Sequence, residues 1–268
     1  MTIIGAQTGI SCSSTSASCT GSDGCTDGMT PNFVIRRHDT KPPFKVSVND
    51  CDGPLDLTEK NLVAEVNMWA NAKLKAAITK ADTYFELADN IGFEQAMVGD
   101  IIVMDRTRLP EHMLVTAFDE TNHLIQVQRG YNATFVDNWP KGQSLRIFRI
   151  MNGSAEIETI TEDIRQVDGT LAEDQVIESL LIYEWNQNST CLPGCFWLEF
   201  KLLKMKDDAM SMLSTSGASI TPSFTPSTFS ATNFGCILGT GVEWVRRFPV
   251  CGEGFLIQIT DSPTAELP

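Results

Sequence analysis

The residues of this chain that most readily do chemistry are eight cysteines, and two of them, Cys191 and Cys195, lie close together. The Leu-Pro-Gly between them is typical of a turn, which can bring two thiols to one metal ion or into one disulfide. Zinc sites usually combine a tighter pair with a second pair, and only one such pair is present. We expect at least one disulfide, with Cys191 and Cys195 as the first candidates and a zinc or iron–sulfur centre as the alternative. For any one cysteine, the competing interpretation is a small buried hydrophobic side chain.

Catalytic combinations are harder to find. The three histidines, His38, His112 and His123, lie in unrelated sequence contexts. The sequence contains no Gly-x-Ser-x-Gly, no His-Glu-x-x-His, no Walker loop, and no Gly-x-Gly-x-x-Gly after a strand. We therefore expect that the protein is not an enzyme.

Neighbouring carboxylates are the remaining candidates for acid–base chemistry. Glu156 with Glu158, and Glu162 with Asp163, fit the two carboxylates of a glycosidase. We favour the simpler interpretation, that they are solvated side chains on a strand and on the connecting segment after it.

A further acidic group surrounds Gly53, and carboxylates in a turn can coordinate a hard cation. Its members are Asp50, Asp52 and Asp56. They lack the regular spacing of a calcium loop, so the sequence predicts neither a metal ion nor a cofactor.

Charge and hydropathy exclude several partners. The 268 residues carry 34 acidic against 20 basic side chains, a formal net charge of −14. This charge repels phosphate backbones and anionic membrane surfaces, so we expect no nucleic acid and no membrane partner. No apolar run approaches the length of a spanning helix, and the start of the chain lacks the features of a signal peptide. Folding in a cytosol is the expectation.

The elements that would position these residues are β-strands. Phe44, Val46 and Val48 alternate with polar residues, and Leu62 to Met68 alternates again after a turn. Residues 81–150 contain four short strands with hairpin-sized links, which predicts a small antiparallel barrel, and "GFEQAMVGD" before them predicts one helical turn. One strand runs into the turn "QRGYNAT", where Gly130 permits a positive φ; we expect this turn to end the strand and fix its exit. An exposed Tyr-Asn sugar platform is the alternative.

Two segments lack the composition of a core. Residues 1–30 are rich in Ser, Thr, Gly and Cys and predict an extended N-terminal arm, while residues 207–235 are rich in Ser, Thr and Pro and predict a long irregular excursion. In an assembly, such segments order by lying on neighbouring subunits. The side chains expected to make these inter-subunit contacts are Cys12, Cys19, Cys25, Phe224, Phe229 and Phe234.

Three blocks of sequence together resemble a known family. In order, they are "VIRRHDTKPPFKVSVND…GPLDLTEKNLVAEVNMW", "YEWN…PGCFWLEFKL" and "RRFPVCGEGFLIQI". This order is similar to the N-terminal domain of the baseplate upper protein of tailed bacteriophages. The intervening "GDIIVMD…EHMLVTAFDE…LIQVQRGYNAT…WPKGQ" resembles a small β-domain that recurs in phage structural proteins, which the plain baseplate pattern does not contain.

The resemblance implies an all-β fold. It implies an immunoglobulin-like β-sandwich formed by residues 31–80 and 151–268, interrupted by an inserted small antiparallel β-barrel over residues 81–150, with residues 1–30 as the arm. On that topology, Cys251 lies in a turn beside Cys191 and Cys195.

The implied function is that of a virion structural protein in the tail, assembled in the bacterial host cytoplasm. Its expected partners are other tail proteins (hub, tail tube or fibre subunits), and its expected assembly is a homo-oligomer or symmetric ring that attaches fibres or receptor-binding proteins. The alternatives are a head decoration or head-to-tail connector protein, a glycan- or receptor-binding tail module, and a tail-associated hydrolase.

Overall fold

The computed structural model describes residues 31–50, 53–59, 61–105, 109–167, 170–205, 242–249 and 254–261. Most of these residues lie in β-strands, which confirms the all-β prediction. The predicted arm and excursion lie outside the described residues, apart from the bounds given above.

Fourteen strands and one short helix follow the described chain. The strands of the first half are β1 (Phe33–Arg36), β2 (Phe44–Ser47), β3 (Asn49–Asp50), β4 (Gly53–Pro54), β5 (Leu62–Lys73), β6 (Tyr84–Glu86), β7 (Ile101–Met104), β8 (Glu111–Asp119) and β9 (Leu124–Gln128), with helix α1 (Asn90–Glu94) after β6. The strands of the second half are β10 (Ser144–Arg165), β11 (Leu171–Tyr183), β12 (Gly194–Met205), β13 (Val242–Phe248) and β14 (Phe255–Thr260).

Twelve of these strands form one mixed sheet, and β3 and β4 form a separate two-stranded pair. The main path through the large sheet runs β1, β14, β12, β5, β10, β7, β8, β9, β6. Strands β11 and β2 continue from the distal half of β10, and β13 pairs with the distal half of β12. The β1–β14 pair is parallel, while the other strand pairs named here are antiparallel.

A first hydrophobic cluster joins segments that are far apart in sequence. Strands β5, β12 and β14 supply one wall, and β2 and β11 supply the other. The alternation predicted for Phe44, Val46 and Val48 places all three side chains in this cluster. Other members include Val66, Met68, Leu181, Phe196, Leu198, Phe200, Leu202 and Ile257.

A second cluster fills the middle of the chain, where the four predicted strands of residues 81–150 are confirmed as β7, β8, β9 and the start of β10. It contains Leu74, Phe85, Ile102, Met104, Met113, Val115, Ile125, Val127, Trp139, Leu145 and Ile147. The predicted helical turn is also present, although it begins earlier, at Asn90.

Two strands belong to both clusters. Residues 64–70 of β5 face the first cluster, and Ala72 at the end of the same strand faces the second. In β10, Leu145 and Ile147 lie in the second cluster, while Ile157 packs against the first. The two clusters are therefore joined by continuous paired strands.

Candidate functional site

The three histidines are not brought together by any hydrogen bond or ring contact of the described residues. His38 and His123 are exposed, whereas His112 is buried on β8. The Nδ1 atom of His112 has no hydrogen-bond partner, and burial lowers the pKa of this imidazole below its ordinary value. No nucleophile lies within described hydrogen-bond reach of His112, so the site offers no acid–base pair.

Carboxylates near the predicted cation turn serve the backbone instead. Asp56 accepts hydrogen bonds from the N–H and the hydroxyl of Thr58, at 2.9 and 2.6 Å, and these bonds lower the pKa of its carboxyl group. The described residues contain no group of three or more metal-binding side chains. Asp52 and the side chain of Asp50 lie outside the described part of the chain.

The turn "QRGYNAT" is organised by a buried ion pair. Arg129 binds Glu111 through two parallel contacts, Nε to Oε1 at 2.7 Å and Nη2 to Oε2 at 2.9 Å, and the two side chains are 5% and 1% exposed. The guanidinium also donates to the carbonyls of Thr79, Asp82 and Asp137. A planar guanidinium presents five donors in a fixed geometry, so one side chain closes three separate loops.

The carboxylate of Glu111 is equally well occupied. Its Oε2 accepts from the indole Nε1 of Trp139 at 2.6 Å and from the backbone N–H of Asp137 at 3.1 Å. Trp139 is itself a member of the second cluster. Because every donor and acceptor here has a partner, the pair stabilises the lobe rather than waiting for a ligand.

The backbone of the same turn requires a left-handed conformation. Gly130 has φ 64°, and a Cβ atom at this position would lie 2.9 Å from Cγ2 of Val136. Asn132 and Ala133 follow with φ 56° and 58°, and Thr134 bonds back to the carbonyl of Tyr131. Strand β9 ends at Gln128 and the turn redirects the chain, which confirms the prediction that this turn ends the strand.

A second buried ion pair joins the lobes. Arg149 on β10 donates from Nε to Oδ1 of Asp100 at 2.9 Å, and both side chains are 3% exposed. Its Nη2 donates to the carbonyl of Gln95, and the guanidinium lies 5.5 Å from the ring centroid of Phe196 in the first cluster. Burial raises the pKa of the Asp100 carboxyl, while Arg149 opposes that shift.

Cys191 lies beside this ion pair, and its thiol is free. Its Sγ atom is 3.0 Å from the carbonyl of Asn188, 3.3 Å from Nη1 of Arg149 and 3.4 Å from Sδ of Met97. Cys195 is disulfide-bonded, and its partner is not Cys191. The predicted Cys191–Cys195 disulfide is therefore not formed, because the turn directs the Cys191 thiol toward Arg149 and Met97.

The other predicted contact residues cannot be placed. Cys12, Cys19, Cys25, Phe224, Phe229 and Phe234 lie outside the described residues.

A charged pair also lies across β5 and β12. Glu65 is opposite Lys201, and burial raises the pKa of the carboxyl while lowering that of the ammonium group. Each charge opposes the shift of the other. The lysine is thus compensated by neighbouring carboxylates and is not a free nucleophile.

The most exposed element of the described structure is the distal part of the β10–β11 hairpin. Strand β10 pairs with β5 only as far as Ala155, and β2 pairs with β11 only from Leu180 onward. Between these limits, residues 156–165 and 171–178 form a two-stranded ribbon, paired from Glu158 to Arg165. At about 3.3 Å per residue, it extends roughly 25 Å beyond the neighbouring strands.

The surface of this ribbon is both acidic and apolar. Residues 156–178 contain eight acidic residues against one basic residue, Arg165. Ile164 and Leu171 near the tip are 45% and 56% exposed, and Ile177 is also exposed. None of the described residues from 156 to 178 is buried. Because they make no core, these side chains form the candidate interaction surface.

Comparison with known proteins gives no assignment: no family model matches the chain, and no curated protein matches it. No helix among the described residues is long and apolar enough to cross a membrane.

Proposed function

We propose that this chain is a non-enzymatic structural protein of a tailed-phage virion, a tail or baseplate component that attaches fibres or receptor-binding proteins to the tail. The observation that carries the proposal is the continuity of β5 and β10 through both hydrophobic clusters. Shared strands couple the two lobes through backbone hydrogen bonds, which suits a protein that holds other subunits in fixed positions. The sequence blocks that resemble the baseplate upper protein supply the link to a phage tail.

The same proposal includes the finer fold. The first cluster, with walls from residues 35–70 and 181–259, fits an immunoglobulin-like sandwich, and the second cluster, with members from Ala72 to Ile147, fits an inserted small barrel. The buried pairs Arg129–Glu111 and Arg149–Asp100 support a structural role, because their polar groups are satisfied within the chain. The proposed partners are hub, tail tube or fibre subunits, with several copies arranged as a ring in the particle.

The test is cross-linking mass spectrometry of purified particles under non-reducing conditions. The expected result is that this chain is present at the tail and cross-linked to tail proteins. Cross-links to capsid or portal proteins would favour the head decoration or connector alternative instead. Absence of the chain from purified particles would contradict the proposal.

A further inference from the structure

We infer, resting on the proposed attachment function, that the β10–β11 ribbon is the element that docks this protein to its neighbour, and that the neighbour is a different protein with a basic groove that has an apolar floor. The ribbon here means residues 156–165 and 171–178.

The first step of the argument is that the fold does not need the ribbon. The described ribbon residues contribute no buried side chain, whereas the adjoining residues Ser179 and Leu181 are 0% exposed. An isolated two-stranded ribbon is at best marginally stable in water. The extension is therefore better explained by a contact outside the chain than by the stability of the body.

The second step concerns the apolar side chains. Ile164 pairs with Ala172, and Leu171 pairs with Arg165, so exposed apolar groups from both strands lie near the tip. An extension serving solubility alone would carry charges without them. Charged edges with apolar groups at the centre match the usual composition of a protein interface.

The third step identifies the occupant by charge. Glu162 and Glu173 are exposed near the tip, and no ion pair involving either is seen among the described residues. A second copy of this chain is a poor partner, because its net charge is −14 and its basic side chains already serve its own carboxylates, as Lys41 serves Glu184. A basic partner gains complementarity, and like charges on the ribbon oppose pairing between copies.

The experiment uses the full-length chain and intact phage particles as the probe. The chain is supplied from a plasmid to a phage that lacks its own copy, and its amount is measured both in purified particles and in the soluble pool. One variant is Ile164→Ser with Leu171→Ser, and another is Glu162→Gln with Glu173→Gln. The matched controls are Leu109→Ser with Phe135→Ser, which are exposed apolar residues elsewhere, and Glu94→Gln with Glu120→Gln, which are exposed acids elsewhere.

We expect the apolar ribbon variant to lower incorporation by about tenfold, since two side chains at an interface centre together exceed 1.4 kcal/mol. The acidic ribbon variant is expected to lower incorporation severalfold, and both controls to incorporate like the wild type. Urea unfolding of each purified variant verifies that the body remains folded.

Three other outcomes are distinct. Equal incorporation of ribbon variants and wild type would overturn the inference and leave the proposed function standing. Absence of the wild-type chain from particles would overturn the proposed function, and the inference with it. A dimer of the purified wild-type chain in sedimentation, lost in the ribbon variants, would show that the occupant is a second copy and would overturn the assignment to a basic partner.

Discussion

Arg149 and Asp100 form an ion pair at the junction of the two lobes, with Nε 2.9 Å from Oδ1 and only 3% of each side chain exposed. Arg149 lies on β10, and its guanidinium also reaches the carbonyl of Gln95 and the ring of Phe196. One side chain thus contacts groups from both lobes. The consequence is that its loss affects their junction as well as a local charge.

Removing this arginine is expected to be costly. Arg149→Met leaves Asp100 buried without its counter-ion, which typically lowers the free energy of unfolding by about 3–5 kcal/mol. The double variant Arg149→Met with Asp100→Asn should recover part of the loss. The control is Lys41→Met, which breaks the exposed Lys41–Glu184 pair and should cost less than about 1 kcal/mol. Urea unfolding measures all three, and equal effects of Arg149→Met and Lys41→Met would contradict the structural role.

The buried His112 predicts a pH dependence. Burial lowers the pKa of its imidazole from 6.5, and the smaller effect of Asp105 opposes this. The unfolded chain therefore takes up the proton more readily than the folded chain. The resulting stability is fully present above the unfolded pKa and is lost as pH falls through the folded pKa.

His112→Leu removes this group, so its free energy of unfolding should fall less than that of the wild type between neutral pH and about pH 5. His38→Asn replaces an exposed histidine and should retain the wild-type slope. The measurement is a series of urea titrations across this pH range. Identical slopes for wild type and His112→Leu would refute the prediction.

The cysteine assignment can be checked on one peptide. We expect Cys191 to be alkylated in the denatured chain without reduction, whereas Cys195 is alkylated only after reduction. Peptide mapping by mass spectrometry separates the two states, with Cys195 serving as the internal control. A peptide in which both cysteines resist alkylation until reduction and no other chain segment is linked would restore the Cys191–Cys195 disulfide.

The left-handed turn gives a prediction with a close control. Gly130→Ala places a Cβ in contact with Val136 at φ 64°, and we expect a loss of about 2 kcal/mol from conformation and crowding together. Gly142→Ala has φ 79° but no atom within 4 Å of the added Cβ, so it should cost about 1 kcal/mol from conformation alone. Chemical denaturation compares the two. A Gly130→Ala protein at least as stable as Gly142→Ala would argue against the packed turn.

Shortening the ribbon tests its independence from the core. Replacing residues 162–174 with Asn-Gly, a favoured hairpin turn, removes no buried described side chain. The thermal midpoint should therefore change by only a few degrees. A collapse of cooperative unfolding in this variant would mean that the ribbon belongs to the folding unit.

Local patterns in the sequence predicted the strands well, because period-two alternation is a property of neighbouring residues. Phe44, Val46 and Val48 point into one core as expected. The segment after Glu158 was expected to be partly connecting chain, but it continues as β10 to Arg165. The reason is visible in its residues: alternating Ile and Thr with acids favour a strand even when neither face is buried.

The ionic networks could not be predicted in the same way. Arg129 was recognised only as part of a turn, since its partners Glu111 and Thr79 lie 18 and 50 positions away. The position of Cys191 likewise depends on Arg149, which is 42 positions distant. Spacing within a turn indicates which thiols are near one another in sequence, but tertiary packing decides where each thiol points.

The length of β10 has a mechanical consequence. Traction applied at the far end of the hairpin would pass along this one strand into its ladders with β5 and β7. Because the load runs parallel to the strands, those hydrogen bonds would be sheared together instead of being opened one after another. The protein would thus resist extension along this axis better than peeling from the side, as a connector under tension requires.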